Sequence, residues 1–110
     1  MSRLLPFRTP VERESDEPRV LGIDDDAADE VFDALASRTA REILGALYEE
    51  PRTASDLAEG VDTSLQNVRY HLDSLTDAGL VEVADTWYSS RGTEMKVYAP
   101  ADSSVVVFAG

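Results

Sequence analysis

The sequence predicts a small domain of α+β class, mainly α, with about four helices followed by a β-hairpin. Three observations carry that expectation. Four consecutive segments place apolar residues at helical spacing. Beyond Gly79 the spacing changes to strict alternation. The breaks between segments fall at Pro51, Gly60 and Gly79, residue types that end helices. A chain of 110 residues holds one domain, expected over 24–102. Before it, residues 1–23 contain three prolines, mixed charges and no periodicity, and read as a flexible arm. After it, residues 103–110 form an apolar C-terminal strand or tail.

The first helix begins in Asp24-Asp25-Asp26, where acids suit the positive end of the helix dipole. Its inward stripe is Ala28, Val31, Phe32 and Leu35. Ser37 caps a second helix from Arg38 to about Glu50, with Ala40, Ile43, Leu44 and Leu47 on one side, and Pro51 blocks its continuation. Thr53 caps a short third helix over Ala54 to Glu59, ended by Gly60. Asp62 or Thr63 caps a fourth that runs to about Ala78, with Leu65, Val68, Leu72 and Leu75 inward. Two alternating stretches follow: LVEVADTWY, with Val81 and Val83 on one side, and TEMKVYAP, with Met95 and Val97. The SSRG between them is a turn in which Gly92 takes positive φ. The terminal SSVVVFAG is β-prone and is expected to be paired, since a bare apolar strand aggregates. A third strand beside the hairpin, a seam between two copies and the start of a longer segment all remain open for it.

The charge is unusual. Twenty-two acids face ten bases, for a formal net charge of -12, and Lys96 is the single Lys. This composition resembles the haloarchaeal type, in which molar salt shortens the screening length to about 3 Å and quiets self-repulsion. The absence of Cys excludes disulfides and thiolate metal sites, and one His excludes a His-rich one. No apolar run is long enough for a signal peptide or membrane span, so a cytoplasmic chain is expected. No nucleophile triad, Gly-rich phosphate loop or metal-ligand spacing argues for an enzyme or a cofactor.

The third and fourth helices, joined by Gly60-Val61-Asp62, have the order of a helix-turn-helix, whose second helix enters the major groove of DNA. With the hairpin as a wing, the order is that of a winged helix-turn-helix. Arg38, Ile43-Leu44, Asp56-Leu57-Ala58, Val68, His71-Leu72, Leu75 and Ala78-Gly79-Leu80-Val81 together resemble the ArsR-like winged helix-turn-helix regulators over about residues 27–99. The resemblance implies a sequence-specific regulator that binds double-stranded DNA as a homodimer. The recognition helix would be about 63–78 and the wing about 81–99, near the minor groove. Metal sensors of the family carry two Cys near the start of the third helix. Thr53 and Ser55 occupy those positions here, so thiolate metal sensing is not expected. Family dimers often use helices at both chain ends, whereas no helical pattern follows the wing here.

The candidate DNA-contacting residues are those the fourth helix presents outward, Ser64, Gln66, Asn67, Arg69 and Tyr70, because amides and guanidinium can bond base edges and hydroxyls bond phosphate. Arg91 at the wing tip suits a narrow minor groove, and Lys96 a phosphate. Arg52 and Thr53, at the start of the helix that crosses the backbone, would hold a phosphate. His71 reads as a fold-supporting residue rather than a pH switch. Residues 24–36 carry six acids and no base, and would face away from DNA. The alternative is a winged helix used as a protein-interaction or dimerisation module, distinguished by a uniformly negative fourth helix and wing.

Overall fold

The computed structural model describes residues 16–110. Most of the stretch read as a flexible arm, residues 1–15, lies outside the described residues. The chain order is β1 (Arg19–Gly22), α1 (Asp26–Leu35), α2 (Arg38–Glu49), β2 (Arg52–Thr53), α3 (Ala54–Gly60), α4 (Leu65–Asp77), β3 (Val81–Tyr88), β4 (Glu94–Pro100) and β5 (Val105–Phe108). Among the described residues four helices precede the hairpin, as the periodicity predicts, and the fold is a winged helix-turn-helix.

The caps explain where the helices start. Ser37 Oγ accepts from the Ala40 N–H at 3.3 Å, and Thr53 Oγ1 from the Asp56 N–H at 3.2 Å. In α4 the cap is Ser64, not Asp62 or Thr63: its Oγ accepts from the Asn67 N–H at 3.0 Å. The turn before it also differs from expectation. Gly60 remains helical, and the left-handed residue is Asp62, at φ 54; a short Asp side chain tolerates that region better than most.

All three other helices pack on α4. Val31, Ile43, Leu47, Leu57, Val68, Leu72, Leu75 and Leu80 make the centre of the core. On α1 the buried residues are Ala28, Val31 and Ala34, while Phe32, expected inward, is 40% exposed. Three small or medium side chains spaced by three let α1 lie close to α4, which leaves the larger ring outside.

The strands hold the main departures. The hairpin's third strand is β2, in the order β2-β4-β3, antiparallel throughout. A bulge between Val83 and Asp85 breaks the alternation, and Val83 is exposed although Val81 is buried. Residues 19–22, expected in the arm, form β1 and pair in parallel with β5 as a separate two-stranded sheet, so the terminal strand does not extend the hairpin. The reason is visible in one side chain: Leu21 is 6% exposed and joins the core cluster, carrying the backbone on either side of it into β5's reach.

Candidate nucleic-acid interface

The fourth helix is fixed at both ends. At the start, besides the Ser64 cap, Asn67 Nδ2 donates to Thr63 Oγ1 at 3.0 Å. At the end, the Leu80 N–H donates to the Leu75 carbonyl and the Gly79 N–H to the Thr76 carbonyl, both at 2.9 Å, with Gly79 at φ +76. This is the Schellman arrangement, and Leu75 and Leu80, both fully buried, make the apolar contact that goes with it. Arg19 Nη1 donates to the Ala78 carbonyl at 2.8 Å, placing a cation at the negative end of the helix dipole. The base expected in a solvated arm is therefore part of the frame. The inner side of α4 carries Val68, Leu72, Leu75 and the buried His71, whose Nε2 lies 3.5 Å from Ser37 Oγ. His71 thus joins α4 to the cap of α2.

What remains outside is the candidate surface. Ser64, Gln66, Arg69 and Tyr70 are exposed and Asn67 is half-buried. An open hollow of about 600 Å³, lined by Thr63, Ser64, Gln66, Asn67 and Tyr70, carries no charge. A groove of about 350 Å³ between α3, α4 and β4 brings Arg69 and Lys96 together with Asp73, Glu94 and Ser55. Its two bases meet two acids, so it is charge-balanced. Arg91 projects from the wing tip, in a turn closed by the Gly92 N–H donating to the Ser89 carbonyl at 2.8 Å; Ser89 Oγ accepts from the Arg91 and Thr93 amides. Further along α4 the character reverses: Glu30, Asp33, Asp73 and Asp77 surround a hollow against α1. The fourth helix is neutral at its beginning and negative at its end.

Two expected contacts are drawn into the frame instead. Arg52 Nε donates to the Ala46 carbonyl at 3.2 Å, and its Nη2 to Glu49 Oε1 at 3.0 Å, tying β2 to the end of α2. Thr53 is buried, with its hydroxyl on the α3 cap. Asp73 and Glu94, which are not among the candidates above, enter the groove, and so does Ser55, which stands where metal sensors of the family carry Cys. Spacing alone signals the two acids: Asp73 stands four residues after Arg69 on one helix, and Glu94 two before Lys96 on one strand. Among the described residues no three His, Asp or Glu converge as a metal site, and no helix is long and apolar enough to cross a membrane.

A helix-turn-helix domain family matches residues 35–84, from the last residue of α1 into β3. Similar solved structures agree. One is the homodimeric winged helix-turn-helix DNA-binding domain of a possible ArsR-family transcriptional regulator from Mycobacterium bovis (25% identity, TM-score 0.57, 69% of this chain). This chain spans 65% of that domain's length. Another is an ArsR family transcriptional regulator (31% identity, TM-score 0.53), with 67% of this chain and 70% of that one aligned. A third is an ArsR-like transcriptional regulator from Rhodococcus sp. RHA1 (32% identity, TM-score 0.55), with 67% of this chain and 64% of that one aligned. No curated protein matches the chain.

Proposed function

The chain belongs to the ArsR family of winged helix-turn-helix transcriptional regulators, and from that premise we propose that it binds a specific site on double-stranded DNA as a homodimer, inside the cell. The first half of α4 enters the major groove. There Gln66, Asn67 and Arg69 reach base edges, and Ser64 and Tyr70 reach phosphates. Arg91 approaches the minor groove from the wing, and Lys96 takes a phosphate beside the α4 groove.

The observation that carries this reading is the distribution of charge along α4. In a chain of net charge -12, the first half of α4 is lined by an uncharged hollow and a balanced groove, and the acids gather at the other end. The Asn67 amide held by Thr63 is pre-oriented, which lowers the entropy lost on contact. With Thr53 buried and Ser55 without a thiol, the protein responds to something other than thiolate-bound metal. The scarcity of Lys and excess of acids suit a protein working in concentrated salt.

Selection of binding sites from random DNA, followed by fluorescence anisotropy on the selected duplex across a KCl series, tests the reading. One sequence should be enriched, and log K should fall with log salt no more steeply than about -3 per half-site, the limit if all three DNA-facing bases, Arg69, Arg91 and Lys96, displace counterions. Recovery of no preferred sequence would favour the second reading, a winged-helix interaction module. The specific observation on its side is that Asp73 and Glu94 offset Arg69 and Lys96 within the groove itself.

A further inference from the structure

The β1–β5 sheet has one partly covered face and one bare one. Opposed residues in a parallel pair share a face. The registers Arg19 with Val105 and Leu21 with Val107 put the buried Leu21 and the partly buried Val105 on the core side, where Val107 remains 39% exposed. The registers Val20 with Val106 and Gly22 with Phe108 make the other side, where Val20 is 57%, Val106 46% and Phe108 51% exposed. The Phe108 ring lies across Gly22, its Cζ 3.3 Å from where a Cβ would stand. Exposed Ile23 follows at the end of β1. Neither residues 20–23 nor residues 103–110 contain a charged side chain.

We propose that this bare face is the interface between two copies of the chain, packed sheet against sheet about a twofold axis. The proposal rests on the homodimer reading above and deepens it by naming the surface. Charge selects the occupant. Two bodies of net charge -12 repel least where charge is sparsest, and Val20, Val106 and Phe108 form such a place, with the Asp25 carboxylate only at the Gly22 end, its Oδ2 3.4 Å from where a Gly22 Cβ would stand. Asp24, Asp25 and Asp26 border it, all exposed, which sets the face against an anionic membrane surface. In a pair of copies those acids sit at the rim, where salt screens them. A twofold contact also makes the patch its own complement, with Val20, Val106 and Phe108 from each side removed from water. A two-stranded sheet is marginal alone, and a second sheet over its bare face completes its core.

The outer edge of β5 offers a different geometry, and the backbone shows how to tell them apart. The Arg19 N–H donates to the Ser104 carbonyl and the Ile23 N–H to the Phe108 carbonyl, both at 2.8 Å. Alternate residues of β5 therefore turn toward β1, and Val107 turns its own N–H outward. Val107→Pro removes that outward donor and spares the bonds to β1, so it blocks strand-edge pairing only.

Sedimentation velocity on the full chain without DNA is the test, so its result does not depend on DNA binding. The unsubstituted protein should sediment as a dimer that tightens as KCl rises. Val106→Glu and Val20→Glu should each weaken association by about 100-fold or more, with circular dichroism unchanged. Val107→Pro should stay dimeric. A monomer at every KCl concentration, dimers unaffected by both Glu variants, or dissociation by Val107→Pro alone would each overturn the proposal.

Discussion

The face of α4 with the wing and the bare face of the β1–β5 sheet are both exposed, yet they are made of opposite materials. The first is polar: hydroxyls, amides and two cations, Arg69 and Lys96, offset by Asp73 and Glu94. The second is aliphatic and aromatic, with charge only at its border, where Asp25 meets Gly22. Polar groups left in water keep their hydrogen bonds until a partner replaces them, so the first face rests at little cost. Apolar groups left in water do not, so the second is stabilised when something covers it. Exposure alone thus says little about purpose; the side chains decide whether a surface waits for a partner or needs one.

One frame supports both regions, and the largest effect should come from damaging that frame. Leu75 is fully buried at the end of α4. Leu75→Ala should cost about 2–5 kcal/mol by chemical denaturation, and should weaken DNA binding and association together. Loss of only one would show that the regions are supported separately. Next in size, Arg69→Ala and Arg91→Ala should each cost about 1–3 kcal/mol of binding to the selected duplex while leaving sedimentation without DNA unchanged. A change in sedimentation would blur the two faces into one.

Smaller still, Gly79→Ala should lower stability by about 1–2 kcal/mol, because a left-handed residue acquires a side chain. That side chain would also meet Arg19 Nη1, which lies 2.9 Å from the position of the new Cβ. An unchanged melting temperature would remove Arg19 and Gly79 from the frame. At the low end, Gly45 lies within α2 with no atom within 4 Å of a new Cβ. Gly45→Ala should raise stability by about 0.5–1 kcal/mol, seen in thermal melts, with both faces unaltered.

The helical half of the fold was legible because its signals are local. Ser37 and Thr53 lie three residues from the amides they cap, and Gly79 ends α4 within its own turn. The β1–β5 pairing was not, because Arg19 and Val105 meet across most of the chain and RVLG is too short to show a period. Phe32 fits the helical template as well as Ala34 does; the closeness of α4, a tertiary fact, chooses between them. In the candidate interface, spacing identified the outward residues of α4. It could not show that Arg52 turns back to Ala46 and Glu49, since a guanidinium's partner depends on where the preceding helix ends. The balance in the groove is not legible in the sequence, because Glu94 on β4 meets Arg69 on α4 only once the hairpin folds back against the helix.

The bond from Arg19 to the Ala78 carbonyl fastens the strand that precedes the helices to the far end of α4. In the dimer we propose, that bond links the helix placed on DNA to the sheet placed at the seam. In a pair held by that sheet, the distance between the two reading helices becomes a fixed gauge. Such a protein measures as well as reads: an operator with correct half-sites, lengthened by a single base pair between them, presents its second half-site rotated about one-tenth of a turn out of reach.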